Sequence, residues 1–151
     1  MLRWLCLSFC LVASTAWAQS IDIQTMRALQ AAQAAQARGD LSSALNSLNE
    51  AGPAKDSYAE VLIWRNMAYL LWQQDKQKQA FDLLQKAYQS THLNDTERQE
   101  DALNLARLAI QTEQPKQSLN YLESVPATEE TLELSLYAWQ MLNRYDKALP
   151  L

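Results

Sequence analysis

The chain has 151 residues, 48% of them hydrophobic and 20% charged, which suits one domain with one substantial core and excludes a disordered polypeptide. Its 13 Lys and Arg against 17 Asp and Glu give a formal charge of −4, so it lacks the basic surface that a nucleic-acid backbone requires. Only 2 Gly and 4 Pro interrupt a sequence rich in Ala, Leu and Gln, which predicts an all-α fold.

Residues 1–18, MLRWLCLSFCLVASTAWA, come first and carry one early cation (Arg3), an apolar stretch from Trp4 to Ala13 and an A-x-A exit at Ala16 and Ala18. That order is the pattern of a secretory signal peptide, and the apolar stretch is shorter than the roughly 20 residues that span a bilayer. Cleavage is expected after Ala18, giving a mature chain that is periplasmic or secreted. A lipoprotein site at Cys10 fits poorly, because bulky Phe9 precedes it. Cys6 and Cys10 both leave with the leader, so the mature chain has neither a disulfide nor a thiol. Losing Arg3 takes Lys and Arg from 13 to 12 against 17 acids, a charge of −5. No later apolar run approaches membrane-spanning length.

Residues 19–151 read as one helical domain built from a repeated hairpin. In the first copy, about residues 25–56, Ala28, Ala31, Ala32 and Ala35 fall at helical spacing, the polar RGD of residues 38–40 breaks the pattern, and Ala44, Leu48 and Ala51 resume it. The second copy, about 61–93, repeats those offsets with Trp64, Met67, Ala68 and Leu71, a QQDKQ break, then Ala80, Leu84 and Ala87. The third, about 99–126, has Ala102, Leu105, Ala106, Ala109, a TEQPK break, Ser118, Leu122 and Val125. The fourth, about 129–151, gives Leu132, Ser135, Leu136, Trp139, an LNRYDK break and Ala148. The copies are spaced by 36 residues (44 to 80), 38 (80 to 118) and 30 (118 to 148).

This register decides what RGD is. Gly39 falls at the turn of the first hairpin, where positive φ ends a helix, and Asp40 can cap the next helix, so the tripeptide is read as a turn and not as an adhesion motif. Capping boxes are expected at Ser57 to Glu60 and at Thr96 to Gln99. Asn94-Asp95-Thr96 matches a glycosylation acceptor but is read as part of a helix cap.

The pattern resembles the tetratricopeptide repeat, whose helix-turn-helix unit of about 34 residues has small residues where its helices cross. The resemblance covers about residues 24–151 and is strongest in WRNMAYLLWQQDKQKQAFDLLQKAY and in LNRYDKAL, where Tyr145, Asp146, Lys147 and Ala148 match the start of a second helix. Ser118 and Leu136 depart from it, standing where the family has Ala or Gly. It implies a right-handed superhelical solenoid of helical hairpins with about 3.5 repeats. No polar capping element closes the ending MLNRYDKALPL, so the chain is expected to continue or to self-associate through its incomplete last repeat, at Trp139, Leu142 and Leu149.

Nothing in the sequence assembles into catalytic chemistry: the mature chain has no Cys, a single His92 read as a loop or helix-end residue, and no Gly-rich phosphate loop. Glu129, Glu130 and Glu133 are read as residues favouring a helix N-terminus and not as an acid pair. No enzyme activity, cofactor, metal or nucleic-acid partner is expected. The resemblance places function on the concave groove, lined by Leu29, Gln33 and Gln36 in the first copy and by Arg65, Asn66, Tyr69 and Gln73 in the second. Leu103, Asn104, Arg107 and Gln111 follow in the third, and Glu133, Tyr137 and Gln140 in the fourth.

Amides that both donate and accept suit the main chain of an extended peptide, and Asn66 stands where related repeats grip ligand backbone. The two-cation clamp that some members use on a chain terminus is missing, with Leu29, Gln33 and Glu100 in its place. The reading is a periplasmic adaptor or scaffold for a protein or peptide partner, with an envelope complex as the setting by analogy. The alternative is a cell-wall or exopolysaccharide-binding module using Trp64, Trp72, Trp139 and Phe81, although Trp64 and Phe81 fall on the packing stripe.

Overall fold

The computed structural model describes residues 21–53 and 55–148. The expected leader, its cleavage point after Ala18 and Leu149 lie outside the described residues. Within them the chain forms eight helices and no strand: α1 (Ile23–Ala37), α2 (Leu41–Asn49), α3 (Tyr58–Gln73), α4 (Gln77–Tyr88), α5 (Asp95–Gln111), α6 (Pro115–Leu122), α7 (Glu129–Met141) and the short α8 (Tyr145–Ala148). Each odd helix and the even helix after it form a hairpin.

Local chemistry starts most of these helices. Asp22 caps α1 by accepting from the Thr25 N–H at 2.8 Å, Asp40 caps α2 from Ser43, and Ser57 caps α3 from Glu60. The Glu60 carboxylate accepts from the N–H of Asp56 at 2.8 Å, closing the predicted box one residue further back. The box expected at Thr96 to Gln99 is displaced: Asn94 caps α5 and exchanges bonds with Glu97. Asn is the stronger N-cap, and starting two residues earlier places Asp95 and Glu97 at the positive end of the helix. A further box, Thr128 to Thr131, opens α7.

The hairpin turns repeat one conformation. Gly39, Asp75, Glu113 and Asn143 all have positive φ, at 77°, 57°, 58° and 56°. In each case the next N–H reaches back five residues to a carbonyl: Asp40 to Ala35 at 3.0 Å, Lys76 to Leu71 at 3.0 Å, Gln114 to Ala109 at 2.7 Å and Arg144 to Trp139 at 2.9 Å. This is the Schellman closure of a helix C-terminus. RGD is therefore a turn, as the register predicted. Glu113→Gly should stabilise the fold by about 0.5–1 kcal/mol, since Gly takes this conformation without steric cost. Gly39→Ala should lose a similar amount, although a Cβ there would meet nothing within 4 Å. Chemical denaturation of both variants, with opposite shifts of the midpoint, checks the pair.

Small residues let the helices cross closely. Ala32, Ala35, Ala44 and Ala51 are buried in the first hairpin, Ala68, Ala80 and Ala87 in the second, Ala102, Ala106 and Ala109 in the third, and Ala148 in the fourth. Three positions depart from the predicted stripe, among them Leu132, which is 40% exposed. Ala31 is exposed, because no helix precedes α1 among the described residues to cover that side. Leu136 is half-buried, and Ala138 is the α7 residue enclosed instead. Phe81 is buried, and Trp64 is half-buried against Val61, Ala87 and Leu93.

Ser118 is fully buried and its hydroxyl meets no hydrogen-bond partner among the described residues. Ser118→Ala restores the residue type the repeat prefers there and removes a desolvated polar group. A gain of about 1 kcal/mol in urea unfolding is the expected result.

Candidate functional site

The odd helices form the inner layer of the solenoid. Each helix packs on its neighbours in the chain, but α1 also touches α3 and α5 touches α7, whereas no two even helices approach in this way among the described residues. Side chains facing along the odd layer therefore meet their counterparts in the next hairpin.

Half of the groove residues predicted from the sequence are already bonded, to one another or to neighbouring groups. Gln36 donates to Gln73 at 3.1 Å, and the Trp72 indole N–H donates to Gln111 at 2.8 Å. Arg107 reaches Glu130 on α7 at 2.6 Å and also binds Asn104 on its own helix. Asn66 donates to the Leu62 carbonyl one turn back at 2.8 Å.

Arg65 is the most heavily committed. Its Nε donates to Asp101 at 2.9 Å, Nη1 to Glu97 at 3.3 Å and Nη2 to Glu100 at 3.2 Å, so one guanidinium ties α3 to three carboxylates of α5. The Tyr58 hydroxyl donates to the same Glu97. Burial works against the Arg65 charge, but Asp101, Glu97 and Glu100 outweigh it and raise its pKa. Asp101 is only 1% exposed, and its second oxygen, Oδ2, meets no hydrogen-bond partner among the described residues. Burial pushes its carboxyl up to about 6, the nearby Arg65 charge pulling the other way and Glu100 and Glu97 adding to the rise. Burial, then the bond to Glu97, raises the Tyr58 hydroxyl to about 12.

Against this bonded background a few inner-layer side chains remain open. Tyr69 is 49% and Tyr137 58% exposed, and Gln33, Glu133 and Gln140 are exposed as well. Gln33, Tyr69, Arg107 and Tyr137 occupy the same offset, five residues after Ala28, Trp64, Ala102 and Leu132, and so form one row. Leu29 and Leu103 are half-buried. Sequence reasoning did not find Tyr58, Glu97 and Asp101. A signal was present: Arg65 faces a helix whose first two turns are acidic.

The other features carry less chemistry. His92 Nε2 lies 3.0 Å from the Asp56 carbonyl oxygen, tying two loops. Arg98, beside a shallow hollow with Asp95, Gln99 and Ser124, donates to the carbonyls of Tyr88 and Ser90. The described residues contain no cluster of metal-ligating side chains, and none of their helices is long and apolar enough to cross a membrane. The aromatic residues weighed as a sugar platform are not assembled as one: Phe81 is buried, Trp64 packs on the core and Trp72 is half-buried with its N–H bonded to Gln111.

No protein-family model matches the chain, and no curated protein matches it in sequence. Solved structures do. The structure of MamA 41-end from Desulfovibrio magneticus RS-1 superposes with a TM-score of 0.74 at 18% identity, covering 87% of this chain and 73% of that one. The MamA RS-1 ArsTM double mutant gives a TM-score of 0.72 at 17% identity, covering 87% and 72%. At such identity the likeness is one of fold: the protein is an all-α, tetratricopeptide-like solenoid of helical hairpins.

Proposed function

We propose that the protein is a periplasmic adaptor or scaffold, without catalytic activity, that holds an extended peptide or protein segment along the inner layer of its helices. The row Gln33, Tyr69, Arg107 and Tyr137 carries this reading. Tyrosine is an expensive residue to leave in water, and two of them stand half in solvent at the same register on a layer where Gln36, Gln73, Gln111 and Arg107 are already bonded. Rigid aromatic faces supply contact area at little entropic cost, while exposed Gln33 and Gln140 offer amides to a bound main chain. The bonded background keeps the helices in place, so the row is preorganised. An envelope complex is the setting we propose, from the leader-like residues 1–18.

A photoreactive residue at Tyr69, compared in cells with one at exposed Lys86 on α4, tests the reading. A specific crosslinked protein from position 69 alone is expected. Equal products from both positions, or none, would reject the groove.

A further inference from the structure

The formal charges of the helices are segregated by layer. The odd helices carry four cations (Arg27, Arg65, Arg98, Arg107) against eight acids (Glu60, Asp95, Glu97, Glu100, Asp101, Glu129, Glu130, Glu133). The even helices carry the reverse, Lys78, Lys86, Lys116 and Lys147 against Asp82 and Asp146. The inner cations are also spent: Arg65 on three carboxylates, Arg107 on Glu130, and Arg98 on carbonyls at the α4 end. Arg27 stands at the far end of the row, on α1.

Glu100 and Glu130 remain exposed despite their ion pairs, and Glu133 is exposed on α7. From these observations we infer that the segment held by the inner layer is basic: an extended peptide whose Lys or Arg side chains pair with Glu100 and Glu133 and lie over the rings of Tyr69 and Tyr137. The inference rests on the groove reading and names the chemistry of its partner.

Two physical effects favour a cation over an anion or a neutral chain here. A net negative layer steers a basic segment inward and repels an acidic one. Tyrosine faces attract guanidinium and ammonium groups through the ring quadrupole, so the aromatic row and the acidic groups select the same ligand. Lysine stems would also cover the apolar part of each ring.

The test uses three pools of short fluorescent peptides in which alternate positions are fixed as Lys, Glu or Gln and the others are mixed, titrated against the full chain by anisotropy. The Lys pool should bind at least about tenfold more tightly than the other two, and its affinity should weaken as salt rises. Glu100→Gln with Glu133→Gln should remove about tenfold of that affinity, as should Tyr69→Ala with Tyr137→Ala. Circular dichroism confirms that each double variant is folded.

If the Gln or Glu pool binds as tightly and still depends on Tyr69 and Tyr137, the groove stands and its basic preference is overturned. If the Lys pool binds but ignores both double variants, it sits elsewhere and the inference fails. Binding by no pool rejects the groove and the inference together. Self-association that salt or Glu100→Gln with Glu133→Gln abolishes would show a second copy, through its basic even layer, as the occupant instead.

Discussion

Arg65→Ala is expected to cost about 3–5 kcal/mol of folding stability at neutral pH, because it strips the guanidinium from a buried carboxylate while leaving that carboxylate in place. Asp101 is 1% exposed and bonded to Arg65 Nε at 2.9 Å, and Glu97 and Glu100 crowd the same site. Without Arg65, three negative charges face one another between α3 and α5. Arg65→Met combined with Asp101→Leu should recover much of the loss, since an apolar pair of similar volume avoids the desolvation cost. Thermal unfolding of the single and double variants checks this. A single variant as stable as the parent would show that Arg65 is a solvated groove residue and not a tie between hairpins.

The same site predicts a pH dependence. The folded pKa of Asp101, about 6, lies above its ordinary value of 3.8. A raised value means that the folded state holds the proton more tightly than the unfolded chain does. The contribution of Asp101 is therefore full below about 4 and is lost as pH rises through about 6. Asp101→Asn should flatten the stability profile across that window. In Arg65→Ala the window should extend upward, because the group that pulled the Asp101 pKa down is gone.

Phe81→Ala should cost a further class of stability, about 3–5 kcal/mol, through a cavity where the second and third hairpins meet. Phe81 is 5% exposed within a cluster containing Ala68, Leu71, Ala80, Leu84, Leu105, Leu108 and Ala109. Its ring meets Tyr121 on α6 edge-on, with centroids 6.2 Å apart at 68°, and Tyr121 in turn meets Tyr88 at 5.5 Å and accepts from Gln85 at 2.9 Å. Solenoids hold together through nearest-neighbour interfaces. Loss of this one should uncouple α1 to α4 from α5 to α8 and broaden the urea transition as well as lower its midpoint. A transition that stays sharp with an unchanged midpoint would mean that the hairpins are joined mainly elsewhere.

Part of the candidate site was legible and part was not. Tyr69 and Tyr137 could be placed on one face by counting, because a helix fixes which residues share a side. The open or bonded state of a polar residue on that face could not be counted. Gln36 and Gln73, or Trp72 and Gln111, are dozens of residues apart, and their bonds exist only because α1 lies against α3 and because α4, packed on both α3 and α5, holds those two within side-chain reach. The start of α5 shows a local choice: NDTERQ contains two overlapping capping patterns, and the one that begins at Asn94 has the stronger N-cap and places Asp95 and Glu97 in the first turn.

By itself the sequence determined the class of fold, the hairpin unit and its turns, because these follow from short-range physics: apolar periodicity, small residues at crossings and backbone closure within a few residues. Tertiary structure decided the rest. Glu113 adopts positive φ without any preference of its own, since α5 and α6 must pack and the turn between them has to close at that length. Arg65 became a half-buried tie between hairpins because α5 brings Glu97, Glu100 and Asp101 to it, and electrostatic pairing depends on distance in space and not on distance along the chain.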